Sequence, residues 1–296
     1  MEFFVTTVTS GLVSGAVLAL VAVGIVMVFT ATRAVNLAHG EVITLGMYAS
    51  LIGLTHLHWS FWIVLILMPF VGAAIGLAME AVAFRPFISR SGGNNALLTI
   101  FITTLALSLG LQGFLTLVAD TAGTGVPSPF AIKSWNVGVL HIAPYQVLTL
   151  VVSACLVGVM WLIVARTQLG RAMRAIAQNA DAAALLGANP KLISSIAWAA
   201  SGALGAIVGA LLVLPGAVLT PFSGAPLLFI TFTGAVLGGF GSIGGAVVGC
   251  LFLSIAQQLF AGYVSSEWAA LVPFAILIIV LAIRPEGLFG RNIQRV

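Results

Sequence analysis

Charge is what this chain has least of. Its 296 residues include 11 Lys and Arg and 7 Asp and Glu, 6% in all, where soluble domains carry roughly 25%. So little charge cannot cover a water-soluble globule. With 61% hydrophobic residues and a mean hydropathy of +1.20, much of the outside must face lipid. Cysteine is scarce as well. Cys155 and Cys250 both lie in apolar runs, which excludes a disulfide framework and gives no metal-type spacing. No GxxxxGK[ST] phosphate loop occurs, so the chain is not expected to hydrolyse ATP by itself. Neither GxSxG nor HExxH is present, which argues against a membrane hydrolase. The start, Met1-Glu-Phe-Phe4, lacks the basic residues of a cleaved signal peptide, and the first apolar run is too long for one, so it reads as a retained span.

What the chain does have is apolar length. Charge-free runs of about 20 residues, enough for a helix to cross a bilayer, recur throughout. Candidate segments are 8–30, 42–57, 61–84, 96–118, 146–165, 192–214, 227–238, 243–262 and 268–283. Those at 42–57, 227–238 and 268–283 are short, and tilting, flanking residues or a re-entrant path would accommodate them. The runs are continuously apolar rather than alternating, which favours helices over a β-barrel. The expected fold is an all-α polytopic membrane protein, a compact bundle of about eight to nine transmembrane or re-entrant helices, organised as a single domain over 1–296.

The cations lie between these runs. Arg33 follows the first; Arg85 and Arg90 follow the third; Arg166, Arg171, Arg174 and Lys191 follow the fifth; Arg284, Arg291 and Arg295 form the tail. If every segment crosses, all of these share one side and Lys133 alone takes the other. The excess of positive charge marks the cytoplasmic side, so the N-terminus is expected outside and the C-terminus inside. Residues 119–145 then form an extracytoplasmic segment and 166–191 a cytoplasmic one. The pI of about 9.6 reflects these topology signals and gives no reason to expect nucleic acid.

Within the candidate segments Glu80 is the one acidic or cationic side chain, and a proton- or ion-coupled carrier usually needs more. Small-xxx-small spacings are frequent: Gly11–Gly15, Gly72–Gly76, Gly205–Gly209, Gly234–Gly238, Gly241–Gly245 and Gly245–Gly249. They predict close helix packing.

Three constellations stand apart from the apolar background. The first is Asn36-Leu-Ala-His-Gly-Glu41, leading into the second segment. It reads as a helix start, with Asn36 or His39 as cap, Gly40 turning and Glu41 at the positive dipole end. It also reads as a polar hinge or gate near a solute pathway, since ionisable groups at membrane depth are costly and functional. The second is Gly170–Gly187, a basic, alanine-rich stretch. Met173, Ile176, Ala177, Ala180 and Ala184 recur at helical spacing, while Arg171, Arg174, Gln178 and Asp181 form a polar stripe. A helix over about 171–186, ended by Gly187 and Pro190, would either lie on anionic lipid or dock a protein through Ala182-Ala183-Ala184. The third is Gly238-Gly-Phe-Gly-Ser-Ile-Gly-Gly245. It contains a GxGxxG pattern at Gly239, Gly241 and Gly244, but in no strand–turn–helix context. A tight turn between packed helices explains these glycines better.

Taken in order, these stretches resemble the branched-chain amino acid permeases of the LivH type. Asn36–Glu41 with Thr44-Leu-Gly-Met-Tyr48, the Gly170–Gly187 stretch, Gly238–Gly245 and the tail Arg284-Pro-Glu-Gly-Leu288 follow that family's sequence across nearly the whole chain. The resemblance implies an ATP-binding-cassette importer permease fold in the bacterial plasma (inner) membrane. It implies a second related permease, or a copy of this chain, two ATP-binding subunits holding ATP and Mg, and an extracytoplasmic solute-binding protein. Relatives import branched-chain amino acids, urea, short amides or aromatic acids. The stretch 166–191 becomes a cytoplasmic coupling loop, with Arg171, Arg174, Asp181, Ala182, Ala183 and Gly187 expected at the ATPase. The chain itself is expected to be no enzyme and to hold no cofactor. The competing reading is a self-sufficient channel or secondary carrier for a small neutral solute, which would need no docking helix.

Overall fold

The computed structural model describes residues 2–88, 96–119, 123–126, 128, 135–137, 140–284 and 287. Arg90, Lys133, Arg291 and Arg295, and parts of the 119–145 and 284–296 stretches, lie outside the described residues. The chain is helical nearly throughout, in the order α1 (Glu2–Thr32), α2 (His39–Leu51), α3 (Phe61–Met79), α4 (Arg85–Ile88), α5 (Ala96–Val118), α6 (Pro144–Arg166), α7 (Gln168–Gln178), α8 (Ala180–Leu185), α9 (Pro190–Val213), α10 (Gly224–Gly238), α11 (Ile243–Tyr263) and α12 (Val272–Ile283). Wider π-helical turns extend α2 over Ile52–His56 and α3 over Glu80–Phe84. Four short strands are described: β1 (Thr124–Gly125) pairs with β4 (Val218–Leu219), and β2 (Trp135–Val137) with β3 (Leu140–Ile142), both antiparallel.

Among the described residues six helices are long and apolar enough to cross a membrane: Glu2–Thr32, Phe61–Phe84, Leu98–Val118, Pro144–Arg166, Pro190–Val213 and Ile243–Tyr263. Gly224–Gly238 and Ala269–Ile283 are apolar but shorter. These two and α2 correspond to the three segments expected to be short. This is an all-α polytopic membrane fold.

The residues group into two compact units. One comprises Met1–Val26, Phe130–Trp161 and Phe229–Val296; the other comprises Met27–Pro129 and Leu162–Leu228. In the second unit α9 is the axis, with α2 and α3 packed against it. Glycine lets these backbones touch. A methyl group on Gly72 would stand 2.2 Å from the Gly202 carbonyl oxygen, and one on Gly76 2.2 Å from that of Trp198. One on Gly46 would meet Ala206 Cα at 2.6 Å, and one on Gly209 the Ile43 carbonyl oxygen at 2.6 Å. No larger residue fits without separating the helices, the usual logic of membrane packing. Val28, Ala34, Ala38, Val42, Met79, Phe84, Ile100 and Trp198 form the apolar cluster of this unit, with the Phe84 and Trp198 rings 5.7 Å apart.

In the first unit the same device joins α10 to α11. A methyl group on Gly249 would lie 2.2 Å from the Gly234 carbonyl oxygen, and one on Gly238 would meet the Gly245 carbonyl oxygen more closely still. Gly11 and Gly15 sit against Ile255 and Leu251 of α11.

The single inner helix expected over 171–186 is two helices. Asn179 between α7 and α8 is extended, at φ −154° and ψ 106°. Its side-chain oxygen accepts a hydrogen bond from the Ala182 N–H at 3.0 Å and so starts a new helix. Asparagine competes with the helical backbone in this way, a local effect that hydrophobic periodicity does not register.

Candidate functional site

The Asn36–Glu41 stretch is fully inside the second unit. Asn36, His39 and Glu41 are each at most 3% exposed. Neither Asn36 nor His39 is the N-cap of α2; that position is Ala38, with no side-chain cap. Asn36 Oδ1 instead accepts from the Ala38 N–H at 3.0 Å, closing the turn before the helix. His39 reaches α9, its Nδ1 3.2 Å from Ser201 Oγ, while its Nε2 has no partner. Gly40 lets the start of α10 approach, since its carbonyl oxygen stands where a Gly224 side chain would be. The Gly224 N–H donates to Thr44 Oγ1 at 3.0 Å.

Glu41 turns to α5. Its Oε1 accepts from Gln112 Nε2 at 2.7 Å and from Ser108 Oγ at 3.1 Å. Its Oε2 is buried and has no partner. The stretch therefore joins α2 to three other helices, and the carboxylate is held by side chains beyond its own helix as well as lying in the first turn. Ser108, Gln112 and Ser201 were not singled out in the sequence. The available signal was Ser108 and Gln112 at i, i+4 in a run whose other residues are apolar, glycine or threonine, which puts both on one helix face.

A second polar knot lies at the end of α3. Glu80 is 1% exposed. It accepts from Arg85 at 3.1 Å and from Ser195 Oγ at 3.2 Å, tying the π-helical turn to the first turns of α9. Arg85 also donates to Ser195 Oγ at 2.8 Å.

The α7–α8 stretch is tied back to its own bundle. The Arg33 guanidinium donates twice to the Ala177 carbonyl, at 3.0 and 3.1 Å. Arg174 donates to the Val164 carbonyl at 2.7 Å. Met173, Ile176 and Ala183 are buried, so Ala183 and the Arg174 head group serve this chain's own packing. Ala180 and Ala184 are exposed, where the single-helix periodicity expected them inward. Arg171, Asp181, Ala182 and Gly187 are exposed. Gly187, at φ +89°, takes the left-handed conformation that ends α8, and Asn189 then caps α9 at the Leu192 N–H, 3.2 Å. The most prominent feature was missed in the sequence: Leu185 and Leu186 are 90% and 89% exposed, side by side at the end of α8.

At the 238–245 turn Gly238 makes a close contact with Gly245, whereas nothing lies within 4 Å of where a Gly241 side chain would be, and Gly244 is barely closer. Gly239 is needed for its conformation, at φ +96°.

The family model described as branched-chain amino acid transport system / permease component matches residues 7–281. The chain belongs to that family. This permease is 33% identical over 303 residues to the high-affinity branched-chain amino acid transport system permease protein LivH of Escherichia coli K12, covering 98% of this chain and 96% of that one. It is 32% identical to BraD of Pseudomonas aeruginosa, a protein of the same description, over 97% and 96% of the two chains. A more distant relative, the fructose import permease protein FruF of Bifidobacterium longum, is 25% identical over 89% of this permease. Among solved structures, PsaBC from Streptococcus pneumoniae in complex with Fab matches with a TM-score of 0.50 at 14% identity, over 99% and 95% of the chains. That likeness concerns the fold alone.

Proposed function

We propose that this permease is the membrane subunit of an importer that takes a branched-chain amino acid, or a related small polar solute such as urea or an amide, into the bacterial cytoplasm. ATP and Mg are held by two partner ATP-binding subunits. A solute-binding protein delivers the solute from outside, and a second related permease, or a copy of this one, completes the pathway. The N-terminus lies outside, and the C-terminus and the 166–191 stretch lie in the cytoplasm. The names of the full-length relatives support the solute class. The Arg33 bond to the Ala177 carbonyl supports a shared side for Arg33 and that stretch, as the distribution of cations requires.

The observation that carries the coupling role is the pair Leu185 and Leu186. Two adjacent leucines about nine-tenths exposed, at the end of α8, whose Ala183 is buried and which follows directly on α7 with its buried Met173 and its Arg33–Ala177 bond, form an apolar knob. Burying each against a partner contributes about 1.5–3 kcal/mol. A lone channel or carrier has no use for such a knob. Exposed Asp181 and Ala182 flank it, and Arg171 and Gly187 complete the proposed ATPase-facing surface.

The test is the double variant Leu185→Asp, Leu186→Asp. Both side chains are outside the chain's own packing, so insertion and folding are expected to be normal. The ATPase is expected to be lost from the complex in mild detergent, together with substrate-stimulated hydrolysis. A variant that retains stoichiometric ATPase and imports at the normal rate would refute the coupling role.

A further inference from the structure

The second unit buries two carboxylates and treats them differently. Glu80 has a guanidinium and a hydroxyl, Arg85 and Ser195. Glu41, equally buried at 1% exposure, has only neutral donors, Gln112 and Ser108, and both reach the same oxygen. Oε2 is left without a partner. Among the described residues the Glu80–Arg85 pair is the ion pair formed, and Arg33, the cation nearest Glu41 in sequence, is committed to the Ala177 carbonyl.

An unmatched carboxylate oxygen in a low-dielectric interior is strongly unfavourable, and a cationic donor is the partner that relieves it best. Buried ionisable groups within membrane bundles mark the paths of solutes and ions. Gln112 and Ser108, one turn apart on α5, fix the orientation of the carboxylate through Oε1 and leave Oε2 as the open acceptor. Among the described residues none supplies a cation to it, whereas an amino acid carries one in its ammonium group.

We propose that Oε2 of Glu41 receives the ammonium group of the transported solute, with Gln112 and Ser108 as positioning residues. This rests on the import function above and narrows it: an amine-bearing solute is preferred over urea or a simple amide, which offer only neutral N–H groups.

The experiment uses the complete transporter, with ATPase and binding protein, in proteoliposomes, with radiolabelled leucine as probe. Glu41→Gln keeps the size of the side chain and its contacts with α5 but removes the charge; Glu41→Asp keeps the charge and shortens the reach. An ammonium-binding role predicts that Glu41→Gln lowers leucine uptake by about a hundredfold, the usual order for one partner of a buried charge pair left unmatched. Glu41→Asp falls less. In both variants assembly and binding-protein-stimulated ATP hydrolysis persist. A merely structural carboxylate, satisfied by a proton or a water, predicts the reverse order, because Gln is the closer fit. Uptake by Glu41→Gln equal to or above that of Glu41→Asp therefore overturns the inference while leaving the import function intact. A wild-type transporter that takes up urea or acetamide but no amine-bearing solute overturns the amino-acid reading and this inference with it.

Discussion

The close backbone approach of α3 to α9 makes a quantitative prediction. In Gly72→Ala the new methyl group would stand 2.2 Å from the Gly202 carbonyl oxygen and 2.6 Å from Ala206 Cβ. Ordinary contact begins near 3.4 Å, so α3 and α9 must separate by about 1 Å, enough to forfeit much of the dispersion energy along the seam. Carbonyl and helix backbone cannot rotate away as a flexible side chain would. Overpacking of this kind costs about 1–3 kcal/mol. Gly110→Ala on α5 is the control, because nothing lies within 4 Å of the added methyl. There only the helix propensity changes, in favour of alanine by about 0.8–1 kcal/mol. Both glycines are helical, so the propensity gain is common to the two variants and cancels, and they should differ by the overpacking cost of about 1–3 kcal/mol. Reversible unfolding in mixed micelles, followed by tryptophan fluorescence, reads this difference directly. Gly72→Ala as stable as Gly110→Ala would refute the seam as described.

Two further predictions concern other parts of the chain. Gly239→Ala, at φ +96°, should destabilise by about 1–2 kcal/mol from left-handed strain, whereas Gly241→Ala, in open space, should be near neutral; equal thermal stabilities in detergent would contradict the assignment. For topology, single cysteines at Leu186 and Gly125, both exposed, in a background lacking Cys155 and Cys250, should be labelled by an impermeant thiol reagent from inside and outside respectively; labelling of both from one side would reverse the proposed orientation.

Much of the fold was legible because lipid imposes a simple rule. Every backbone group in the bilayer must be satisfied within its own segment, so helix follows from apolar length. The candidate segments 61–84, 96–118, 146–165, 192–214 and 243–262 coincide with α3 and its π-helical turn, α5, α6, α9 and α11 to within a few residues. The break at Asn179 was not legible, because one side-chain hydrogen bond outweighed a helical pattern that runs through it. That break decides which alanines face inward: Ala183 is buried and Ala184 exposed. Gly72–Gly76 and Gly234–Gly238 mark true close approaches, but the identical spacing Gly241–Gly245 includes a glycine that touches nothing. Spacing places two small residues on one face and leaves open what that face meets.

Composition and short-range periodicity are enough to set this chain in a membrane, to locate its long apolar helices and to mark 166–191 and Asn36–Glu41 as unlike the rest. Which polar groups meet depends on the packed helices: Glu80 finds Arg85 and Ser195, while Glu41 finds Gln112 and Ser108 and keeps one oxygen unmatched. Glu41 and Gln112 are 71 positions apart. Their partnership depends on how α2 and α5 are set against each other by glycine contacts and apolar packing distributed over the whole unit, and no local stretch of sequence contains that information.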